Sequence, residues 1–380
     1  MHVGFLFNCS MKRNPMRRLS PAVVNRVMLV DSVLRQFDSR VFYYSPKSIK
    51  SINEEVPGYM IEDNKFVRTR ASIPLVNGNW THSTRYLMEK GMGYRRFTEW
   101  AQAHQVGIYV PLAFSELVVN KYETYKLVRG FKTDLHPHTE NYRHTLNQLK
   151  FFLDQGDLVF LKPFAGNKGD GIISVRRGSN GITVKFFKEG GQKKTVAKTA
   201  KGAFEFIKEV TGGAKRYVIQ QGVDTMRHEG SVFDLRVVML FDGKDWSWLH
   251  EVRYSPAGSD LSNVSQGGIS LVTEELLYDM FGKEGGDRVL QKLHVESFGL
   301  AKYMDQLHPG ELMELAFDFV LDKNESLRLV EVNTKPGLVS VGFERKYFEM
   351  KPEQQPLFER WVYPHTESLA RFLQAKVDAL

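Results

Sequence analysis

Three side chains with oxygen donors stand in one C-terminal segment. The segment Ala316–Gly337 reads AFDFVLDKNESLRLVEVNTKPG, and its alternating apolar residues predict a β-hairpin. Because successive strand side chains point to opposite faces, Asp318 leaves the apolar face of the first arm, while Glu331 and Asn333 share a face of the second. If the arms pair with those faces together, the three side chains suit a hard cation such as Mg²⁺ bound with phosphates. A surface hairpin with ordinary acidic residues is the alternative.

A second group combines a lysine with glycines. The run LVFLKPFAGNKGDGIISV predicts a strand that ends near Lys162, followed by a flexible loop with Gly166, Gly169 and Gly171. Glycines let backbone N–H groups approach a phosphate, and the lysine adds a positive charge. The pattern is neither a Walker loop nor a dinucleotide fingerprint. It therefore indicates a polyphosphate site of another kind, with a glycine-rich turn that binds nothing as the alternative.

A third group consists of two arginines, an aspartate and an amide. Asp234 and Arg236 stand two apart on a predicted strand, so both point to one face, away from the apolar residues between and beside them. Arg253 ends the returning strand, and Asn263 lies in the loop that follows. Two arginines with an amide suit a phosphoryl group or a carboxylate. An ion pair between Asp234 and Arg236 with a purely structural role is the alternative.

Composition limits the class of protein. A chain of 380 residues predicts two or three domains, and 42% hydrophobic with 25% charged residues is typical of a soluble globular protein. No apolar run reaches the roughly 18 residues of a spanning helix. Positive charge follows the apolar N-terminal run, an order that does not fit a secretory signal. The single cysteine, Cys9, excludes a disulfide framework and favours a reduced, cytoplasmic protein.

The basic balance of the chain has several explanations. The net charge of +8 includes clusters at Lys12–Arg18 and Lys185–Lys201, which lack interleaved stacking aromatics. A polyphosphate, an acidic substrate or plain solvation is therefore favoured over nucleic acid. His136, His138 and His144 are a less favoured metal site, because a tetrahedral site needs three or four well-placed ligands.

The elements that must position these residues fall into three predicted units. A strand, a helix and a strand open the chain (His2–Phe7, Pro21–Phe37 and Val41–Tyr44), which indicates an α/β first domain over residues 1–115. The second unit, residues 116–215, begins with predicted helices at Tyr122–Gly130 and Thr139–Gln155 and continues as strands around the glycine-rich loop. The third unit, residues 216–380, contains two long hairpins, a helix at Asp287–Gln306 and a closing helix at His365–Leu380, which has Leu369, Phe372, Leu373 and Val377 on one side.

In this order the segments resemble the ATP-grasp superfamily, over about residues 116–340. The matching elements are Lys121 in NKYETYKL, Lys162 in FLKP, the loop Gly166–Gly171, the hinge strand Ile219–Val223, Asp234-x-Arg236, and Asp318 with Glu331-x-Asn333. Within the superfamily the chain looks closest to the YheC/YheD-like group, described as endospore coat-associated proteins. The phrases that carry this likeness are VNKYETYKL, LHPHT, FDLRVVML, VRYSPAGSDLSNVSQGG and VEVNTKPG.

The resemblance implies an ATP-grasp fold, in which a Rossmann-like N-terminal domain precedes two α+β subdomains that enclose the nucleotide. It also implies that Lys121 and Lys162 hold ATP phosphates under Gly166, Gly169 and Gly171, and that Gln220, Gln221 and Val223 contact adenine through the backbone. By the same resemblance, Asp318, Glu331 and Asn333 bind one or two Mg²⁺ ions. Arg236 would stabilise the γ-phosphoryl group, and Arg253 and Asn263 would face the substrate. Gln221 stands where many relatives have an acidic residue, which leaves the ribose contacts and the choice between ATP and GTP open.

The implied activity is an ATP-dependent carboxylate–amine ligase that forms an amide through an acyl phosphate. An amino acid, a peptide or a protein terminus would serve as substrate, and neither nucleic acid nor membrane is an expected partner. The alternative is a nucleotide-binding or structural protein, spore-associated if the group resemblance holds, that keeps the fold without turnover. A dinucleotide-dependent oxidoreductase is disfavoured, because the chain lacks the fingerprint.

Overall fold

The computed structural model describes residues 2–6, 21–45, 49, 55–63, 65–79, 94–109, 112–164, 170–188, 191–212, 216–255, 269–334 and 355–380. Within them the strands form three sheets of six strands each. Cys9, Gly166, Gly169 and Asn263 lie outside the described residues. In the described part of the chain, no helix is both long enough and apolar enough to cross a membrane.

The first sheet is mostly parallel and confirms the predicted Rossmann-like start. Its elements are β1 (His2–Leu6), α1 (Pro21–Arg35), β2 (Arg40–Tyr44), β3 (Val56–Glu62), β4 (Lys65–Ala71), β5 (Val76–Asn79), α2 (Tyr94–Ala103) and β6 (Gly107–Tyr109). The strand order is β4-β3-β2-β1-β5-β6. Strands β2, β1, β5 and β6 run parallel, and β3 and β4 add an antiparallel hairpin at one edge.

The second sheet is antiparallel and carries helices on one face. Its elements are α3 (Leu112–Val119), α4 (Lys121–Phe131), β7 (Thr139–Asn141), α5 (Leu146–Gln155), β8 (Leu158–Pro163), β9 (Ile173–Gly178), β10 (Gly181–Lys188), β11 (Gly191–Ala197), α6 (Ala200–Thr211) and β12 (Tyr217–Gln221). The strand order is β11-β10-β9-β8-β12-β7. Helices α5 and α6 bury Phe152 and Ile207 against Val159, Val175 and Val184. The opposite face of this sheet is left for the site.

The helix predicted at Thr139–Gln155 is wrong in its first part. Residues of β7 pair with β12, which lies far along the chain, so this short strand is an edge of the sheet. His144 has a positive φ of 54°, which ends any regular structure there. Thr145 then caps α5 by accepting a hydrogen bond from the N–H of Gln148.

The third sheet contains the predicted hairpins. Its elements are β13 (Arg227–His228), β14 (Ser231–Phe241), β15 (Trp246–Tyr254), β16 (Ile269–Leu271), α7 (Thr273–Leu307), β17 (Glu314–Leu321), β18 (Leu327–Asn333) and α8 (Gln355–Asp378). The order is β16-β15-β14-β17-β18, with β13 beside β14. Helix α7 begins earlier than predicted and bends at Gly282, where φ is 68°. It covers the apolar face formed by Phe233, Leu235 and Phe317.

The C-terminal helix returns to the first sheet. Leu369, Phe372, Leu373 and Val377, the predicted apolar side of α8, are buried in one core with β1, α1 and β2. The same helix also contacts β17 of the third sheet, where His365 Nε2 lies 2.8 Å from Glu314 Oε2 and both residues are buried. The last helix thus joins the first and third sheets, and the boundaries after residues 115 and 215 stay a prediction.

Candidate active site

A row of charged side chains crosses the third sheet on the face opposite α7. In register across β15, β14, β17 and β18 stand Glu251, Arg236, Asp318 and Glu331. Asp318 and Glu251 are each 1% exposed. The sequence pattern predicted the last three residues of this row but not Glu251. The strand of Glu251 shows a more conspicuous alternation of tryptophans on its other face.

Asp318 accepts hydrogen bonds from two arginines and an amide. Arg236 donates through Nε to Oδ1 at 2.7 Å and through Nη2 to Oδ2 at 2.8 Å. Arg253 Nη2 lies 2.9 Å from Oδ2, and Asn333 Nδ2 lies 3.4 Å from the same oxygen. A carboxylate has about four lone-pair sites. Three of the four donors share Oδ2, so among the described residues Oδ1 accepts a hydrogen bond only from Arg236 Nε.

Arg253 also pairs with Asp234, at 2.6 Å from Nε to Oδ1 and 2.8 Å from Nη2 to Oδ2. The two-pronged pairs thus join neighbouring strands, whereas the sequence suggested a pair within the Asp-x-Arg motif. Charge alternates along the chain of contacts from Asp234 through Arg253 and Asp318 to Arg236. This alternation offsets the cost of burying four charges, since each one has partners of opposite sign.

The pKa values of Asp318, Arg236 and Arg253 keep these three groups charged. Burial alone would raise the pKa of Asp318, but the charges and hydrogen bonds of Arg236 and Arg253 lower it to about 2. Burial alone would lower the pKa of both guanidinium groups. Asp318 raises the pKa of Arg236 overall, and Asp234 and Asp318 raise that of Arg253 overall. Asp318 and the two arginines therefore remain ionised throughout the neutral range.

A β-bulge turns Glu331 toward Asp318. Phe319 pairs with Leu329, and Asp318 pairs with Glu331, so Val330 is an extra residue on β18. Regular alternation would place Leu329 and Glu331 on the same face. With the bulge, Leu329 stays in the core while Glu331 and Asn333 lie on the Asp318 side. The predicted convergence of three oxygen-bearing side chains thus depends on a feature that the periodic pattern did not show.

Two lysines stand near this group. Asn120 caps α4 by accepting hydrogen bonds from the N–H groups of Tyr122 and Glu123, which sets Lys121 at the start of the helix. Lys121 Nζ lies 3.5 Å from Glu331 Oε1. Lys162, at the end of β8, keeps some surface accessible from the cleft although protein surrounds its amine. Burial lowers the pKa of Lys162 to about 8; Glu331 and Asp318 oppose this shift, and Lys121 adds to it.

A cleft of about 870 Å³, part of it open to solvent, connects the second and third sheets. Its charged lining includes Lys162, Arg253, Asp318 and Glu331, and its apolar lining includes Leu158, Phe160, Ile172, Val320 and Val330. Apolar walls beside lysine, arginine and carboxylates fit a flat ring joined to phosphates. Phe160, Ile172 and Val330 carried no signal in the sequence that singled them out.

The hinge residues Gln220, Gln221 and Val223 line the same cleft. The Gln221 N–H donates to His138 O at 2.9 Å, and the Gly222 N–H donates to Leu158 O at 2.7 Å. The Val223 N–H makes no hydrogen bond to any residue that the structure describes. The hinge donor open to an adenine edge is therefore that of Val223.

Other predicted residues lie outside the cleft lining. Gly171 forms a turn with φ of 78°, and its N–H donates to Phe187 O at 2.8 Å. His136 is buried, and burial lowers its pKa to about 4, so its ring is neutral at pH 7. His138 lies 3.1 Å from Tyr125 Oη and 3.2 Å from Glu140 Oε1. Among the residues described, no three His, Cys, Asp or Glu side chains are grouped to hold a metal.

The donor set at Asp318 fits Mg²⁺ when phosphates or waters complete the coordination. Glu331 has a side chain that is 40% exposed, and Glu331 and Asn333 offer the hard oxygen ligands that Mg²⁺ prefers. Two carboxylates and an amide are too few for six-fold coordination, so phosphate oxygens or waters must supply the rest. Asp318 could ligate the cation through Oδ1, which accepts one N–H donor from the described residues.

Comparisons with known proteins agree with this geometry. The family model described as YheC/D like ATP-grasp matches residues 112–355. The endospore coat-associated proteins YheD and YheC of Bacillus subtilis (strain 168) are 27% identical over 183 residues and 25% identical over 211 residues. The matches cover 47% and 55% of this chain. The chain spans 39% and 55% of the length of these two relatives.

Among solved structures, a Chryseobacterium gregarium RiPP-associated ATP-grasp ligase in complex with ADP, and a leader and core peptide, has a TM-score of 0.53. It is 11% identical, and the match covers 99% of this chain and 97% of that one. The likeness extends over all three sheets and shows that the chain has the ATP-grasp fold.

Proposed function

The chain belongs to the YheC/D-like ATP-grasp family, and on this premise we propose that it is an ATP-dependent ligase that joins a carboxylate to an amine. The observation that carries the proposal is the shared cleft lined by Lys162, Arg253, Asp318 and Glu331 beside apolar walls. These side chains come from two different sheets. Such convergence has no structural need of its own and suits a nucleotide held between the sheets.

In the proposed complex the adenine ring lies against Phe160 and Val330, and the Val223 N–H donates to its edge. The triphosphate extends toward Lys162 and Lys121, whose charges offset those of the phosphates. Asp318, Glu331 and Asn333 would hold Mg²⁺, which when bound neutralises phosphate charge as the reaction proceeds. The apolar walls favour the ring, and the positive charge of Lys162 favours the phosphates.

The proposed reaction has two steps. A carboxylate oxygen of the substrate attacks the γ-phosphorus of ATP, the bond from that phosphorus to the β–γ bridging oxygen breaks, and ADP and an acyl phosphate result. The amine then attacks the acyl carbon, its surplus proton passes to solvent, and phosphate leaves as the amide forms. Arg236 and Arg253 would stabilise the transferring group and the acyl phosphate, and the protein would contribute mainly position and charge.

The alternative is a nucleotide-binding or structural protein without turnover. The names of the two Bacillus subtilis relatives, which describe coat-associated proteins, favour it. The crowding of Asp318 Oδ2 by three N–H donors favours it too, since it would leave a cation only Oδ1 of this carboxylate. Against it stands the presence in one cleft of every charged type that phosphoryl transfer uses. A cytoplasmic location is part of the ligase proposal.

The test measures ADP and phosphate release from Mg-ATP by the purified protein in the presence of amino acids and peptides that carry carboxylates. We expect release to require one carboxylate, with a product whose mass is that of its two parts less one water. The Lys162→Ala variant serves as the blank. Tight Mg-ATP binding with no release in the presence of any substrate would favour the protein without turnover.

A further inference from the structure

A row of three side chains crosses the second sheet on the face that borders the cleft. Phe160 on β8 and Thr139 on β7 are the two register partners of Gln220 on β12. Directly opposite residues lie on one face of a sheet, and Ile219, next to Gln220 in the chain, points to the other face, into the core under α5 and α6. Phe160 and Gln220 both line the cleft. The Gln220 side chain therefore lies beside the wall proposed for the adenine ring.

Hydrogen bonds fix the orientation of the Gln220 amide. Its Nε2 donates to Thr139 Oγ1 at 3.0 Å, and the Thr139 hydroxyl donates to Pro137 O at 2.9 Å. A hydroxyl has one proton, and a carbonyl oxygen only accepts. With the amide reversed, Thr139 would have to donate to the amide oxygen, and its bond to Pro137 would be lost. The amide nitrogen therefore faces Thr139, and Oε1 faces away from it.

The oxygen of this amide is an acceptor at the cleft. Only 3% of Gln220 is exposed, and its Oε1 makes no hydrogen bond to any residue that the structure describes. A buried carbonyl oxygen without a donor costs stability, because it has lost its hydrogen bonds to water. Since Gln220 lines the cleft, a ligand there can supply the donor.

A purely structural role would explain only one end of the Gln220 amide. The bond from Nε2 to Thr139 links β12 to β7, but the backbones of these strands are already paired over three residues. An apolar side chain of similar length would fill the same space without a polar oxygen at the cleft. The oxygen is therefore explained by a ligand that carries an N–H donor.

Two groups of the hinge offer a complementary pattern to a purine base. The N–H of Val223 is a donor, and Oε1 of Gln220 is an acceptor; both residues line the cleft and stand three apart in the chain. Adenine carries an acceptor at N1 beside a donor, its 6-amino group. Guanine carries the reverse, a donor at N1 beside the acceptor O6. The hinge pattern thus matches adenine and opposes guanine at both positions.

We propose that the Gln220 side chain accepts a hydrogen bond from the 6-amino group of adenine and makes the cleft selective for ATP over GTP. The inference rests on the proposed function, because it needs a nucleotide in the cleft. It adds a side-chain contact to the backbone contacts expected of the hinge. Thr139 is 1% exposed and acts as a positioning residue, since it determines which end of the amide faces the base.

The experiment compares the calorimetric affinities of Mg-ATP, Mg-GTP and the magnesium complex of purine riboside triphosphate, which is ATP without the 6-amino group. The analogue keeps the N1 acceptor, so it isolates the contact with Gln220. We expect the wild type to bind ATP about tenfold or more tightly than the analogue, the effect of one hydrogen bond. In Gln220→Met this ratio should fall below about threefold. Gln148→Met, which replaces a buried glutamine of α5, should keep the wild-type ratio.

Thr139→Val tests the orientation of the amide without changing a cleft-lining residue. Without the hydroxyl, the Gln220 amide is free to turn Nε2 toward the base, where it can donate to O6 of guanine. We expect the affinity for GTP relative to ATP to rise about fivefold or more. A structural role of Thr139 alone would weaken both nucleotides equally.

An equal ratio of ATP to analogue affinity in the wild type and in Gln220→Met would overturn the proposal, as would an unchanged preference in Thr139→Val. If Gln220→Met does not fold, the Thr139→Val measurement decides alone. The two proposals fail in different ways. Selective ATP binding without turnover contradicts the ligase and leaves the role of Gln220 standing, whereas turnover in an unselective cleft contradicts only the role of Gln220. If none of the nucleotides binds, both are wrong.

Discussion

Arg253 Nη2 lies 2.9 Å from Asp318 Oδ2, although their strands β15 and β17 are separated by β14. The contact is possible because Arg253 is long enough to reach across the face of the central strand, where its Nε and the same Nη2 meet Asp234. Asp318 is thereby the common acceptor for the arginines of two strands. Its substitution has consequences for both stability and nucleotide binding.

Replacing Asp318 by asparagine should leave Arg236 and Arg253 with one neutral oxygen between them. Removing one partner of a buried ion pair lowers the free energy of unfolding by about 3–5 kcal/mol. We expect the free energy of unfolding, measured with urea, to fall by about this amount in Asp318→Asn. The exposed Asp245→Asn should change it by less than about 0.5 kcal/mol. A change in Asp318→Asn as small as that of the control would show that the network does not hold the sheet together.

Lys162 should make nucleotide affinity depend on pH. Its pKa of about 8 in the free protein is low because of burial, and bound phosphate would favour the charged form and raise this pKa. Affinity for Mg-ATP should therefore be highest below pH 8 and fall as the pH rises from 7 to 9. In Lys162→Arg, whose guanidinium stays charged, the fall should disappear. Calorimetry at several pH values measures the affinity for Mg-ATP. An equal fall in affinity with pH in the wild type and in Lys162→Arg would contradict the assignment of Lys162.

Gly222 should not tolerate a side chain. A Cβ at this position would lie 2.4 Å from Leu158 Cγ and 2.6 Å from Leu158 O, so the hinge and β8 would have to separate. Overpacking of this kind costs about 1–3 kcal/mol. We expect Gly222→Ala to weaken Mg-ATP binding and lower the melting temperature. Gly178→Ala, where the nearest atom is 3.7 Å away, should do neither. Normal binding by Gly222→Ala would mean that the hinge takes no part in holding the nucleotide.

His365 and Glu314 should fasten the C-terminal helix to the third sheet. Both are buried and 2.8 Å apart, so His365→Ala leaves a buried carboxylate without this partner. We expect a loss of about 1–3 kcal/mol in the free energy of unfolding, the cost of removing one hydrogen bond from a buried group. Arg371→Ala, which breaks an exposed pair with Glu367 on the same helix, should cost less than about 1 kcal/mol. Similar losses in the two variants would show that burial adds nothing to the His365 contact.

Local patterns predicted much of this molecule. Strand alternation placed Asp318 on the face opposite Phe317, and the apolar spacing of the last helix identified Leu369, Phe372, Leu373 and Val377 as buried.

What the patterns missed depends on partners distant in the chain. Thr139–Asn141 is a strand because β12 offers it an edge, and α8 belongs to the first core because α1 and β1 expose an apolar surface there. The bulge at Val330 arises from the register between two strands, which alternation within one strand cannot show. The pairing of Arg253 with Asp234 and of Arg236 with Asp318 can be predicted only when the order of the strands β15, β14 and β17 is known.

The most direct test of the central claim is calorimetric titration of Mg-ATP into the wild-type protein and into Glu331→Gln. Glu284→Gln, on the exposed side of α7, is the control for loss of one negative charge. The cleft described above predicts binding in the wild type and the control, and at least tenfold weaker, magnesium-independent binding in Glu331→Gln. If Glu331→Gln binds Mg-ATP as tightly as the wild type, with the same dependence on magnesium, Glu331 is not a metal ligand and the proposed site is wrong.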